Sequence, residues 1–484
     1  MNALTAGLLL AGFAFSLLLP NPLEWVMTTA VVVFFLRKFF KPGEFPVGLM
    51  AFAIPLVEIT TSLLNTGLSG LTLVEGFGPG GEKAYTLSIL SFFAFMLGYL
   101  AWGGKSIFAF SFDDLKAALA EIPMKRLVFA HLLLHLLFAA IQGTFGYRSS
   151  LFQLVLHFHR FPLILLYVIG WKYALERRNG LLVLVVFIAN LLMRLTGFFS
   201  EWKELLFLSL FVAIGVSKEF NARTLRRLAV FAGLGVVFVL TWQGVKMQYR
   251  QFLNGGARSQ AIVVSGSEAL ERFGELVGEF WFGNANEATT GEVFESTLDR
   301  LGYLEFFAMT ANRVPDELPH ERGDLLLGNL SFALIPRFLN PDKGVKNDQW
   351  KVEYYANRPV SDHSSFSLGR YAEWYVDFGP MGMVVFAFFI GAIGARLARS
   401  FGQSDSPFIR LMDAAFLVLA LQLWMSYQAD EIKIYGQTFW GFVVYAVIGR
   451  RLIHWLVYKR AIKDTIALSK AGSVQNKTTS AHPD

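Results

Sequence analysis

Twelve apolar segments punctuate the chain, at 3–19, 23–36, 45–65, 85–102, 127–144, 161–175, 181–197, 205–217, 228–245, 380–397, 411–427 and 438–457. A helix needs about 20 predominantly apolar residues to cross a bilayer. Most of these segments approach that length, which predicts a bundle of transmembrane helices. The second and eighth are short and are expected to tilt, insert partway or draw on a neighbour. Ala3 to Leu19 has no basic leader and no small-residue cleavage site, so it reads as a retained helix and not as a signal peptide.

One polar stretch, Met247 to Phe378, separates the ninth segment from the tenth. Inside it, 268–282 and 293–313 place apolar residues at helical spacing. Leu298, Leu301, Leu304 and Phe307 share a stripe in the second of these. Both are expected to be helices lying across the mouth of the bundle. Beyond them Pro315, Pro319, Pro336, Pro341 and Pro359 predict a succession of turns. A third amphipathic helix is expected at 111–124, with Phe112, Leu115 and Leu119 on its apolar side. The pattern divides the chain into a nine-span bundle (1–246), a large loop (247–378), three further spans (379–458) and a polar tail (459–484), which is expected to be disordered.

Composition supports this reading. The chain is 54% hydrophobic and 17% charged, and its mean hydropathy is +0.46, a balance that belongs to polytopic membrane proteins. It has no cysteine, which excludes disulfides, thiolate nucleophiles and cysteine-ligated metals.

Charge orients the bundle. With both termini in the cytoplasm, the short inner segments and adjoining span ends hold 21 Lys and Arg, and the outer ones hold 5. This positive-inside bias places the long loop outside. The loop itself has 12 basic and 19 acidic residues, so the net charge of +6 is an inner-face effect, and nucleic-acid binding is disfavoured.

Some ionisable residues fall inside apolar segments, where a charge is costly. Glu58, Arg194, Glu201, Lys203 and Glu204 outline either a polar cavity open to the outer face or a helix-pinning ion pair, Arg194 with Glu201 or Glu58. His131 and His135, one turn apart, have no third ligand or accompanying glutamate, so they read as packing residues and not as a zinc site. His157, His159 and Arg160 read as an interfacial anchor, with contact to a lipid phosphate as the functional alternative.

The loop carries the densest chemistry. Arg337, Lys343, Arg358 and Arg370 supply fixed positive charge, and the guanidinium fork suits phosphate oxygens. Asp362, His363, Glu373 and Asp377 are candidates for a general base. Glu373 and Asp377, four apart, share a helical face if the tenth helix starts early. Trp350, Tyr354, Tyr355, Phe366, Tyr371, Trp374 and Tyr375 stand among them, and aromatic rings beside polar groups suit sugars.

Leu334 to Lys343, with Ser364 to Ser367 and Gly369 to Gly382, resembles the loop-to-helix region of Wzy-type O-antigen and exopolysaccharide repeat-unit polymerases. These carry an Ile-Pro-Arg element followed by Pro and Lys, a run of small residues, then a Gly, Glu, aromatic and Phe-Gly series entering a span. Arg300 to Leu304 matches a short arginine-to-leucine pattern of such loops. Asp377 and Trp374 depart from the Asn and the small or aromatic residues usual there.

The resemblance implies an all-α, GT-C-like integral membrane glycosyltransferase of about twelve spans with one large extracytoplasmic loop. It would act at the periplasmic face of a bacterial inner membrane, without a nucleotide sugar, metal or other cofactor. Its substrate would be an undecaprenyl-pyrophosphate-linked oligosaccharide within the membrane lipids, and a flippase and a chain-length regulator would be its protein partners. Arg300, Arg337, Lys343 and Arg370, joined by Arg194 and Lys203, would bind substrate. His363 or Glu373, ranked ahead of Asp362 and Asp377, would be the base. An O-antigen ligase has the same general features. A transporter or flippase needs polar groups at both faces, whereas here they gather outside, and a non-catalytic assembly subunit needs no such convergence of charge.

Overall fold

The computed structural model describes residues 2–103, 108–145, 156–196, 202–218, 222–257, 262–283, 297–298, 301–335, 339–340, 342–343, 348–360 and 366–459. Arg300, Arg337, Asp362, His363, Glu201 and the tail beyond Lys459 lie outside the described residues, as does the side chain of Lys203.

The chain opens with α1 (Asn2–Leu18), α2 (Pro22–Phe39), α3 (Val47–Leu68), the short α4 (Leu73–Phe77), α5 (Gly81–Gly103), α6 (Phe112–Ala120) and α7 (Met124–Phe145). A 3-10 turn at Leu156–His159 leads into α8 (Arg160–Glu176), α9 (Gly180–Leu195), α10 (Lys203–Gly215) and the long α11 (Ala222–Leu253). The polar stretch contributes α12 (Gly266–Phe282), α13 (Glu305–Arg313), α14 (Asp324–Leu334) and α15 (Gln349–Ala356). Then come α16 (Arg370–Phe401), α17 (Pro407–Trp424) and α18 (Glu431–Val444), the last prolonged by π and α turns to Lys459.

Every one of the twelve apolar segments falls on a helix. Among the described residues, seven helical stretches are long and apolar enough to cross a membrane: Val47–Leu68, Gly81–Gly103, Met124–Ile141, Arg226–Leu253, Arg370–Phe401, Pro407–Trp424 and Glu431–Val457. The architecture is that of an α-helical, polytopic membrane protein. Among the described residues its one extended pairing is an isolated bridge between Glu44 and Ala109.

Small residues bring the central helices together. Ala387, Gly391 and Ala395 recur every four residues along one face of α16. A Cβ on Gly391 would stand 2.1 Å from the Phe95 carbonyl oxygen, and one on Gly98 of α5 would stand 1.9 Å from that of Phe388. Glycines are therefore required for the two backbones to touch, which is the packing that membrane helices favour. At Gly379 (φ 67°, ψ −174°) the helical path breaks, so the first stretch, Arg370 to Phe378, leaves the axis of the rest of α16.

The loop helices are not all alike. Phe306 and Phe307 of α13, with Val352 and Tyr355 of α15, belong to the same apolar core as α5 and α16. The amphipathic α12 begins at a capping box of Ser265 and Glu268. It rests on α11 in a separate cluster containing Trp242, Tyr249 and Leu276. Within the second predicted loop helix, 297–298 and 301 are helical and α13 follows with Leu304 at its N-cap, while 293–296 and 299–300 lie outside the described residues. Where the prolines predicted only turns, α14 and α15 form. Pro319 and Pro336 bracket α14, and Pro341 and Pro359 bracket α15, so the prolines bound these helices without interrupting them.

Candidate functional site

The first turns of α16 dictate the site. Arg370, Glu373, Trp374 and Asp377 sit on them and all are buried. An ionised carboxylate taken from water must find donors or counter-charge. Each of these carboxylates does so differently.

Glu373 has no exposed surface, and its Oε1 lies 2.9 Å from Nζ of Lys351, which is equally buried. The same ammonium lies 2.8 Å from Asp348. Burial alone would lower the Lys351 pKa, but Glu373 and then Asp348 outweigh it and the net shift is upward. On its other side Glu373 accepts a hydrogen bond from Asn329 Nδ2 at 2.9 Å, and that amide also reaches Glu431 at 3.3 Å. Glu431 further accepts from the Trp374 indole N–H and from the Tyr435 hydroxyl, the latter at 2.7 Å. Next to it, Asp430 caps α18 through the Lys433 amide at 2.7 Å. Burial, reinforced by the neighbouring Asp348, pushes the Asp430 carboxyl up to about 6. The result is a packed cluster in which Glu373, Glu431, Asp348 and Asp430 outnumber Lys351 and Arg370.

Arg370 stands in an aromatic box. Its guanidinium carbon lies 4.8 Å from the Trp374 ring, 5.4 Å from Trp424 and 5.7 Å from Tyr435. Nη1 donates to the Trp424 carbonyl, while Nε and Nη2 make no well-formed hydrogen bond among the described residues. A buried guanidinium with unused donors is poised to take an anion.

Asp377 and Lys343 serve α14. Asp377 accepts from the amides of Gly323 (3.2 Å), Leu325 (3.1 Å) and Leu326 (2.8 Å) at the N-terminus of that helix. Lys343 donates to the carbonyls of Phe332 and Ile335 at its C-terminus, the latter at 2.6 Å. Both charges have the sign the helix dipole favours. A general base needs a free lone pair aimed at substrate, so these contacts make Asp377 a cap in this arrangement. Glu373 and Asp377 do share a helical face, as their spacing predicts, but that face lies under α14 and not at an open mouth.

The remaining intramembrane candidates settle into pairs. Arg194 meets Glu204 of α10 at 2.7 Å; Glu201, one of the two partners that the spacing suggested, lies outside the described residues. Glu58 accepts the Tyr427 amide at 3.3 Å. His131 and His135 share Asn190, at 3.0 and 3.2 Å. His157 and Arg160 pack against Gly441 of α18. Among the described residues no group of three His, Asp or Glu is arranged for a metal ion. A surface groove of about 400 Å³ at the C-terminal ends of α13 and α15 is lined by Asn312, Arg313, Glu317, Asn357 and Arg358.

Residues 83–459 match the protein family described as Domain of unknown function (DUF8712). The chain belongs to that family. No curated protein and no solved structure matches it. The DUF8712 region starts at Lys83, whose ammonium reaches the Tyr375 hydroxyl at 2.5 Å, and it contains every residue of the buried cluster. Glu58 and helices α1–α4 precede it.

Reading of the sequence singled out Glu373, Arg370, Asp377 and Lys343 but passed over Asn329, Lys351, Asp430 and Glu431. Two local signals were available. Asp348 and Lys351 have i, i+3 spacing, and an adjacent Asp-Glu pair stands directly before the last apolar helix.

Proposed function

We propose that the protein polymerises undecaprenyl-pyrophosphate-linked oligosaccharide repeat units at the outer face of a bacterial inner membrane, as a twelve-span, GT-C-like glycosyltransferase with both termini in the cytoplasm. The observation that carries this reading is the buried acid–base cluster where the loop helices α14 and α15 lock onto the outer turns of α16. A connector between spans has no need to bury Lys351, Glu373, Glu431 and Arg370 together. Stability alone does not favour such a cluster either, because desolvating charges offsets most of what pairing them returns.

On this reading Arg370, with Arg300 and Arg337, neutralises the leaving pyrophosphate. Access to Arg370 requires its aromatic box of Trp374, Trp424 and Tyr435 to open. The segment 361–365, with Asp362 and His363, runs between Val360 and Phe366. Phe366 meets Phe306 edge to face at 5.6 Å, and the Arg358 guanidinium lies 5.6 Å from the Phe306 ring. The groove's Asn and Arg side chains suit sugar hydroxyls, and we assign the deprotonation of the acceptor to His363. Glu373 positions Lys351 and Asn329 and does not itself touch substrate.

The test uses purified protein in proteoliposomes with a lipid-linked repeat unit. Wild type is expected to yield a ladder of products and to release undecaprenyl pyrophosphate. Arg370→Gln and His363→Ala are expected to yield single units. A wild-type protein that moves the lipid-linked substrate across the bilayer without joining units would replace this reading with transport.

A further inference from the structure

Far from the cluster, α8, α9, α10 and α11 enclose a cavity of about 1110 Å³. Its walls are mostly apolar, with Phe187, Val212 and Phe231 from three different helices. The cavity ends at Arg177, Lys218 and Arg227, and among its described lining residues there is no carboxylate. The three cations come from the same end of the bundle for a topological reason. Arg177 is the C-cap of α8, Lys218 follows the end of α10, and Arg227 lies in the second turn of α11. None of the three has a carboxylate partner among the described residues.

The cavity also opens sideways. Leu184 of α9, which lines it, is 53% exposed, and Val230 and Leu234 on the flank of α11 are 60% and 64% exposed. In a polytopic protein such faces meet acyl chains, not water. A pocket that is apolar along its length, open to the bilayer and cationic at one end matches an amphiphile whose tail is hydrocarbon and whose head is anionic. Basic pockets between transmembrane helices on the positively charged side bind anionic lipid head groups for this reason.

We propose that this cavity is a binding site for an anionic phospholipid, with an acyl chain between α9 and α11 and the phosphate held by Arg177, Lys218 and Arg227. The site is separate from the outer cluster and does not depend on the reaction assigned there. Each cation near a membrane surface contributes about fivefold in affinity, so losing all three is expected to weaken binding on the order of 100-fold.

The experiment is native mass spectrometry and thermal unfolding of the full-length protein, delipidated and then titrated with phosphatidylglycerol, phosphatidylcholine or inorganic phosphate. Phosphatidylglycerol is expected to bind and stabilise selectively. The variant Arg177→Gln/Lys218→Gln/Arg227→Gln is expected to lose that selectivity, and Val183→Trp, which fills the cavity and keeps the cations, to lose the bound lipid. A control triple on the same basic side, Lys38→Gln/Lys116→Gln/Arg399→Gln, is expected to behave as wild type. Equal binding of the two lipids by wild type would overturn the proposal without reference to any variant. So would stabilisation by inorganic phosphate equal to that by lipid, or loss of selectivity in the control triple.

Discussion

Lys351 is the residue on which the buried cluster turns. It is the counter-ion of Glu373 and Asp348 at once, and it has no exposed surface. Removing one member of a buried ion pair strands the other, which typically costs about 3–5 kcal/mol. Lys351→Met is therefore expected to lower the midpoint of thermal unfolding sharply. Adding Glu373→Gln should return much of the loss, and a double-mutant cycle on purified protein checks it; strictly additive losses would mean that the two do not act as a pair.

Asp430 gives a prediction of opposite sign. Its carboxyl is raised from an ordinary 3.8 to about 6 by burial first and by Asp348 second, so the fold prefers it protonated. The stability this contributes is fully present below pH 3.8 and is lost as pH rises through about 6. Asp430→Asn keeps the cap and cannot ionise. Relative to this variant, wild type is expected to lose stability between pH 4 and 6; parallel pH profiles would remove Asp430 from that role.

Among elements, α14 and the α5–α16 pair test opposite kinds of packing. Asp377 holds three backbone amides of α14, and leaving buried donors unmet costs about 1–3 kcal/mol. Asp377→Ala is expected to speed hydrogen exchange in 324–334 before it affects α16; unchanged exchange there would show that the cap is dispensable. At the α5–α16 contact a single methyl is too much. Gly98→Ala is expected to cost at least about 1–3 kcal/mol through overpacking, read as a lower melting point, while Gly103→Ala, with nothing within 4 Å, should be neutral.

These elements also show what could be read from sequence. The apolar segments, α6 and α12 were legible because each announces itself over a few turns, through periodicity or through caps such as Ser265 with Glu268. Glu373 and Arg370 were legible as unusual residues beside a span. Their partners were not, because Asn329, Lys351 and Glu431 reach them across the fold, and a solitary Asn or Lys in a polar loop has no local mark. Nor was the role of Asp377 visible, since a cap supplied from a distant helix leaves no spacing rule behind.

For the whole molecule, the absence of cysteine makes the orientation directly measurable. A membrane-impermeant maleimide is expected to label Glu271→Cys, on the exposed side of α12, in cells with a permeabilised outer envelope. Arg178→Cys, between α8 and α9, should label only after lysis. The reverse pattern would invert the orientation and remove the outer-face reaction with it.

The double capping of α14 bears on how the protein is made. The chain leaves the ribosome in order, and α14 is complete before any of its tethers exists. Lys343 follows it soon after, but Asp377 and Glu373 arrive with α16, and Glu431 only with α18. An 11-residue helix without caps or packing is marginal in water. The polar stretch around α14 therefore gains its full set of tethers only after the last hydrophobic segments have been made. Truncation of the nascent chain before α18 should leave a fully translocated loop that proteases still cut at 324–334.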